Sequence, residues 1–206
     1  RHRLKYKSGV PGVGVCSALG QSALTAIYED AFGQQNLNAA QLLVSDDTFS
    51  HPEQLDALKL TLEELLAHKV VPVVNENDAL TFWRHRQHAR PFGDNDKLAA
   101  LLACELEADL LVLLTDVDGV FDTHPSHPGA HMLTTVVDCA PSVPLEWKSS
   151  HGRGGMRSKL ESACYAIHNG CPYAVIANGR GPSVLLRVVH GEAVGTLIQR
   201  QEVRHA

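Results

Sequence analysis

Short apolar runs that end in polar residues constrain the fold of this 206-residue chain more than any other feature. The clearest run covers residues 110–114 and stops at Thr115 and Asp116. Similar runs cover residues 41–44, 70–74 and 173–177. Strands that are covered on both faces read as continuous hydrophobic stretches, so each run is a predicted parallel strand. Pro72 is the one residue that argues against a central strand, because proline donates no ladder hydrogen bond.

Helical periodicity falls between these runs, at residues 17–32, 53–68, 96–107 and 156–169. Alternation of strands and helices predicts an α/β fold, a three-layer αβα sandwich with a mostly parallel central sheet. The length and the 44% hydrophobic content favour a single domain over residues 1–206. A small additional strand is expected around residues 132–137, and residues 9–15 are interpreted as a mobile linker.

Charge and cysteine content narrow the class of protein. The net charge of −5 disfavours a nucleic-acid or membrane-surface partner. No apolar stretch reaches the roughly 18 residues that span a bilayer, and no secretory segment opens the chain, so a cytoplasmic protein is expected. The five cysteines are scattered and odd in number, which favours reduced thiols over a disulfide framework. The twelve histidines lack paired ligand spacing, so no protein metal site is predicted.

A glycine-rich segment at residues 152–159, GRGGMRSK, has the composition of a phosphate-binding loop before a helix. Glycines let backbone amides approach an anion, the helix N-terminus adds partial positive charge, and Lys159 adds a full charge. The segment matches neither the Walker A pattern nor GxGxxG. A simple turn before a helix is the alternative.

Carboxylates crowd the predicted strand ends. Asp78, Asp94, Asp96 and Asp116 lie there, each of which could instead be a helix cap or a solvated loop residue. Ligands in open α/β sheets gather at the carboxyl ends of the strands. Taken together with the glycine–lysine segment, these carboxylates favour phosphoryl transfer, which depends on positioning and on neutralising charge.

Four motifs carry a family resemblance: NENDA (75–79), FGDNDKLAALLA (92–103), LLVLLTDVDGVF (110–121) and GRGGMRSK (152–159). In this order and spacing they resemble the glutamate 5-kinases of the amino acid kinase family. The resemblance implies ATP-dependent phosphorylation of the L-glutamate side-chain carboxylate to glutamyl 5-phosphate, the first step of proline biosynthesis. It also implies ATP and Mg²⁺ as cofactors and a cytoplasmic homo-oligomer, either a dimer or a tetramer.

The resemblance assigns roles residue by residue. Asp78 and Asn95 match positions that bind glutamate, with Asn75 close by, and Thr115 and Asp116 match a nucleotide-binding pair. The phosphate-side ATP-binding loop corresponds to Arg153, Gly154, Gly155, Met156, Arg157, Ser158 and Lys159. As catalytic groups, Lys159 would neutralise charge on the transferred phosphoryl group and Asp96 would orient the lysines around it. Arg153 departs from the family pattern, which usually has threonine there.

Family features outside these motifs affect the expected activity. Glutamate 5-kinases begin with a strand and a lysine-bearing KLGSS-like loop, followed by a TSGA loop, and neither occurs in these 206 residues. The 206 residues alone are therefore expected to be inactive, and they contain neither a PUA domain nor a reductase domain. Two alternatives remain open: a non-catalytic amino acid or nucleotide-binding module, or a family member that phosphorylates a different carboxylate or phosphate.

Overall fold

The computed structural model describes residues 11–81, 95–139 and 155–201, which we call the described ranges. The chain divides into two compact units, Arg1–Phe92 and Gly93–Ala206. The single domain expected over residues 1–206 stays a prediction. Within the described ranges, no helix has both the length and the apolar character needed to cross a membrane.

The first unit contains a pair of parallel strands and four helices. In chain order its elements are α1 (Pro11–Gly33), β1 (Asn38–Val44), α2 (Asp46–Ser50), α3 (Pro52–Ala67), β2 (Val70–Glu76) and α4 (Asp78–Thr81). The register places Asn38 opposite Val70 and Val44 opposite Glu76. Helix α3 connects the two strands and packs on β2, and its buried side chains are Leu58 and Leu62. The first unit is therefore one parallel β-α-β crossover with α1 packed on β1 and α4.

The second unit contains a four-stranded mixed sheet. Its elements are α5 (Asn95–Glu105), β3 (Leu110–Thr115), β4 (Thr135–Val137), α6 (Met156–His168), β5 (Tyr173–Asn178), α7 (Val184–Val189) and β6 (Thr196–Gln199). The strand order is β3-β5-β6-β4. Strand β3 pairs with β5 in parallel, as β4 does with β6, whereas β5 and β6 are antiparallel.

Strand β5 has helices against both of its faces. Ala174 and Ile176 belong to the main core cluster, which also contains side chains of α5 and α6. Val175 and Ala177 point the other way and join Val184 and Val188 of α7, in keeping with the two-residue period of a strand. The second unit is thus layered helix–sheet–helix, and the predicted α/β sandwich with a mostly parallel sheet is confirmed.

The predicted elements agree with the structure in type and differ from it at their ends. The strand expected at residues 132–137 is shorter, Thr135–Val137, with an isolated bridge between Phe121 and Met132 before it. The linker interpretation of residues 9–15 was wrong from Pro11 onward, because Pro11 begins α1. Proline is favourable in a first helical turn, where its missing N–H would have no helical partner. The short helices α2, α4 and α7 were not predicted.

The cysteine prediction was wrong for two of the five residues. Cys139 and Cys164 form a disulfide, with their Cα atoms 5.7 Å apart. Asp138 and Cys139 both have left-handed backbone conformations, with φ of 52° and 53°, and this turn after β4 brings Cys139 to the side of α6. The free thiols are those of Cys16, Cys104 and Cys171. Spacing along the chain could not reveal a pairing that depends on where β4 ends relative to α6.

Candidate active site

An ion pair between Lys159 and Asp96 joins the beginnings of α6 and α5. The Lys159 Nζ atom lies 2.8 Å from Oδ1 and 3.0 Å from Oδ2 of Asp96. The two side chains are only 17% and 14% exposed, so solvent screens this pair less than it screens a surface pair. The residues lie 63 positions apart in the sequence, and the packing of α5 against α6 brings them together.

Local sequence explains why both side chains lie at helix N-termini. Helix α5 begins at Asn95 and carries Asp96 in its first turn, where a carboxylate interacts favourably with the helix dipole. Helix α6 begins after Gly155, which has an extended backbone, and the Lys159 N–H donates to the Gly155 carbonyl over 3.2 Å. Met156 is only 3% exposed and anchors this first turn in the core.

The predicted phosphate-side loop is described from Gly155 onward, and its side chains have different surroundings. Met156 contributes its side chain to the core cluster. Arg157 is 71% exposed and donates to Glu161 over 2.8 Å. Ser158 is half-buried. Arg153 and Gly154 lie outside the described ranges, so their ATP-binding role stays a prediction.

Strands β3 and β5 end side by side in polar residues. Thr115 is in register with Asn178, and the Gly179 N–H donates to the Thr115 carbonyl over 2.8 Å. The Thr115 hydroxyl lies 3.5 Å from Oδ1 of Asp116. The Asn178 side chain donates to Oδ1 of Asp118 over 2.9 Å. Sequence reasoning did not single out Asp118, although Asn178 directly follows the apolar run at residues 173–177.

The helix N-termini and the strand ends of the second unit lie at one edge. Short connections join the C-terminal ends of α5 and α6 to the beginnings of β3 and β5, so each helix runs back along its strand. The N-termini of α5 and α6 therefore lie toward the carboxyl ends of β3 and β5, where ligands bind in open α/β sheets. Lys159, Asp96, Thr115 and Asp116 accordingly share this edge.

A second contact between α5 and α6 involves Lys97, which follows Asp96 in the sequence. The Lys97 Nζ atom sits 3.2 Å from the centre of the Tyr165 ring, within cation–π distance. Burial lowers the pKa of Lys97, an effect that a nearby Cys104 partly opposes. Lys97 therefore packs between the helices and differs in role from Lys159, whose amine is held by a carboxylate.

The predicted glutamate-binding residues fall in both units. Asn75 lies in β2 opposite Leu43, and Asp78 begins α4 directly after the strand. The Asn77 N–H donates to the Val44 carbonyl over 2.7 Å, which holds the turn after β2 against the end of β1. Asn95 is the exposed first residue of α5 in the second unit. All three residues therefore lie at or near the end of a strand or helix, as predicted. Their joint role in binding glutamate stays a prediction.

Comparison with known proteins assigns this arrangement to a family. Residues 5–178 match the model of the amino acid kinase family, and the chain belongs to that family. Solved structures agree on the fold. UMP kinase from Ureaplasma parvum has a TM-score of 0.58 at 17% identity and covers 86% of this chain and 66% of its own. The isopentenyl phosphate kinase of T. acidophilum has a TM-score of 0.58 at 19% identity, with 86% and 67% covered.

Relatives with higher identity are named delta-1-pyrroline-5-carboxylate synthase or glutamate 5-kinase. The chain is 43% identical over 189 residues to delta-1-pyrroline-5-carboxylate synthase of Mesembryanthemum crystallinum, covering 90% of this chain and 26% of that protein. It is 34% identical over 196 residues to glutamate 5-kinase of Ligilactobacillus salivarius, covering 93% and 73%. It is 41% identical over 194 residues to glutamate 5-kinase of Chromohalobacter salexigens, covering 93% and 50%. The resemblance to glutamate 5-kinases is confirmed, although the chain spans only about a quarter of the synthase.

Proposed function

We propose that this chain belongs to an enzyme that uses ATP to phosphorylate the side-chain carboxylate of L-glutamate. The product is glutamyl 5-phosphate, and the reaction is the first step of proline biosynthesis. The observation that carries the proposal is the Asp96–Lys159 ion pair, which lies at the same edge as Thr115 and Asp116. This edge offers a fixed cation beside a predicted nucleotide pair in a chain whose relatives include glutamate 5-kinases.

The reaction needs no nucleophile from the protein. An oxygen of the glutamate γ-carboxylate attacks the terminal phosphorus of ATP in line, the bond to the bridging oxygen breaks, and ADP leaves with that electron pair. The reaction joins two anions, so catalysis depends on holding them in line and on offsetting their charge. Lys159 supplies positive charge to the transferred group, and the two Asp96 oxygens fix the position of its amine.

The remaining residues bind the two substrates. Thr115 and Asp116 contact the nucleotide, and the backbone amides that begin α6 at Gly155 and Met156 face its phosphates. Asp78, Asn75 and Asn95 hold glutamate through its polar groups. Arg153 and Gly154 complete the phosphate side of the loop.

Magnesium would accompany the nucleotide. Mg²⁺ usually keeps several waters and is held by substrate phosphates together with one or two carboxylates. It would offset the charge of the phosphates. Within the described ranges no group of three or more histidine, cysteine or acidic side chains lies close enough together to hold a metal ion.

A cytoplasmic homo-oligomer, as the resemblance implies, is part of the proposal. Helix α1 exposes large apolar side chains, among them Leu19 at 59% and Ile27 at 64%. Exposed apolar patches mark protein–protein interaction sites, so this helix is the surface we assign to the subunit contact. Sedimentation velocity tests this assignment by comparing the oligomeric state of the wild-type protein with that of a variant in which Leu19 and Ile27 are replaced by serine. We expect the variant to dissociate.

A coupled assay of ADP release tests the proposed reaction. The longest natural chain that contains these residues is assayed with L-glutamate, L-aspartate and N-acetylglutamate as acceptors. We expect ADP release with glutamate only. Tight ATP binding without acceptor-dependent ADP release would favour a non-catalytic binding module, and release with N-acetylglutamate would indicate another member of the family.

A further inference from the structure

Thr196, the first residue of β6, is a fully buried polar side chain with two hydrogen bonds. Its hydroxyl accepts from the Val120 N–H over 2.8 Å and donates to the Leu133 carbonyl over 2.6 Å. A buried hydroxyl that both donates and accepts is fully satisfied, and so are the two backbone groups that it contacts. One side chain of β6 therefore ties together two distant parts of the chain.

The two partners of Thr196 form the base of a hairpin over residues 120–133. Its two arms meet at the Phe121–Met132 bridge. The Leu133 N–H donates to the Val120 carbonyl over 2.8 Å, and the Asp122 N–H donates to the His131 carbonyl over 3.1 Å. Thr196 contacts both arms, so it fixes where the hairpin leaves the sheet.

Glycines on both sides allow this close approach. A Cβ atom on Gly119 would lie 2.6 Å from the Thr196 hydroxyl oxygen. Gly195 has φ of +74°, and a Cβ atom there would collide with the Ile176 carbonyl oxygen. Neither position leaves room for a side chain, so only glycine allows the backbone to approach its neighbours this closely at both places.

The segment from Thr115 to Val120 leads from the predicted nucleotide pair to the hairpin. Gly179 holds its first residue through the Thr115 carbonyl, and Asn178 holds Asp118. Thr196 holds its last residue through the Val120 N–H. The beginning of the segment is thus held at the end of β5, and its last residue is held by β6.

We propose that Thr196 is a positioning residue of the nucleotide site, acting through Val120 and Leu133 on the segment that carries Asp116. The inference rests on the proposed function for the identity of the nucleotide. Without the hydroxyl, the Val120 N–H and the Leu133 carbonyl would be buried and unsatisfied, and the segment would shift to find other partners. The side-chain hydrogen bonds of Thr196 go to Val120 and Leu133, and neither of these partners is among the predicted glutamate-binding residues Asn75, Asp78 and Asn95.

The test compares Thr196→Val, which keeps the shape and removes both hydrogen bonds, with Thr196→Ser, which keeps the hydroxyl. In the longest natural chain, we expect Thr196→Val to raise the Kd for ADP and the KM for ATP by about tenfold. We expect the KM for glutamate to stay within about twofold, and Thr196→Ser to stay within about threefold of wild type in all three constants. Thr61→Val is the matched control, since it removes an exposed threonine hydroxyl bonded to a carbonyl on α3.

Calorimetric ADP binding separates this inference from the proposed function, because binding requires no glutamate. A wild-type protein that binds ADP but never phosphorylates glutamate contradicts the proposed function, and the inference is then decided by the ADP affinities alone. An unchanged Kd for ADP in folded Thr196→Val overturns the inference, as does an equal loss for glutamate or a failure of Thr196→Ser to restore affinity.

A second variant keeps the inference testable if Thr196→Val does not fold. Asn178→Ala removes the bond to Asp118 and the bond that the Asn178 side-chain oxygen accepts from the Arg180 N–H, both at the exposed edge, where the change leaves the core intact. We expect its Kd for ADP to rise by about threefold. An unchanged Kd would show that the position of this segment does not control nucleotide binding.

Discussion

The two units of the chain differ in how completely their strands are covered. In the second unit, residues 174–177 of β5 are all buried, and helices pack on both faces. In the first unit, Val44 is the only fully buried residue of β1 and β2, and the others are half-buried or exposed. Thr115, at the end of β3, is in register with Asn178 of this covered strand, whereas Asn75 lies in a strand with less cover and Asp78 follows it. Rigid support matters most where charge must be placed accurately.

Core truncation should show the largest difference between the units. Ile176→Ala on β5 removes a side chain that is 0% exposed, and we expect it to lower the free energy of unfolding by about 4 kcal/mol. Leu43 on β1 is half-buried, so Leu43→Ala should lower the free energy of unfolding by only about 1 to 2 kcal/mol, because less apolar burial is lost. Urea unfolding measures both values. Equal costs would show that the two units are equally well packed.

Loss of the disulfide should have the next largest effect. The Cys139–Cys164 bond closes a 25-residue separation, so replacing both cysteines by serine should lower the free energy of unfolding by about 3 kcal/mol. Reduction with dithiothreitol should destabilise the wild-type protein by a similar amount and leave the double variant unchanged. Cys16→Ser, at an exposed free thiol, is the control. Wild-type stability that is insensitive to the reductant would contradict the pairing.

Removing the charge of Lys159 should slow the chemical step. We expect Lys159→Met to lower kcat by about a hundredfold or more, with a modest change in the KM for glutamate, because the charge acts mainly on the transferred group. Asp96→Asn should behave similarly, since Asp96 positions the same amine. Arg187→Met removes an exposed ion pair with Glu192 and serves as the control. A Lys159→Met enzyme with more than half of wild-type kcat would remove Lys159 from the site.

The smallest expected effect tests the first unit. Asp78→Asn should raise the KM for glutamate by about tenfold and leave the KM for ATP within a few-fold, because one polar partner of the amino acid is lost. Asn95→Ala, in the second unit, should likewise raise the KM for glutamate and leave the KM for ATP within a few-fold. Asp56→Asn, on the exposed side of α3, is the matched control. Equal losses for glutamate and ATP would contradict the division of substrate binding between these residues.

Element types were predictable because the physical signals are local. Buried parallel strands show as unbroken apolar runs, and this identified β1, β2, β3 and β5 within a few residues of their observed ends. Helices such as α3 and α6 show their buried stripes directly. The short helices α4 and α7 were missed because four to six residues are too few to display a helical period.

The sequence by itself determined that polar and charged groups follow each strand, and that a glycine–lysine segment precedes α6. Only the tertiary structure decided which of them meet. Lys159 reaches Asp96 across 63 positions, and Thr196 reaches Val120 across 76. The antiparallel pairing of β5 with β6 and the Cys139–Cys164 bond were equally invisible in the sequence. Local patterns record how each segment buries its own apolar face, whereas partners distant in the chain are chosen by the packing of the whole sheet and its helices.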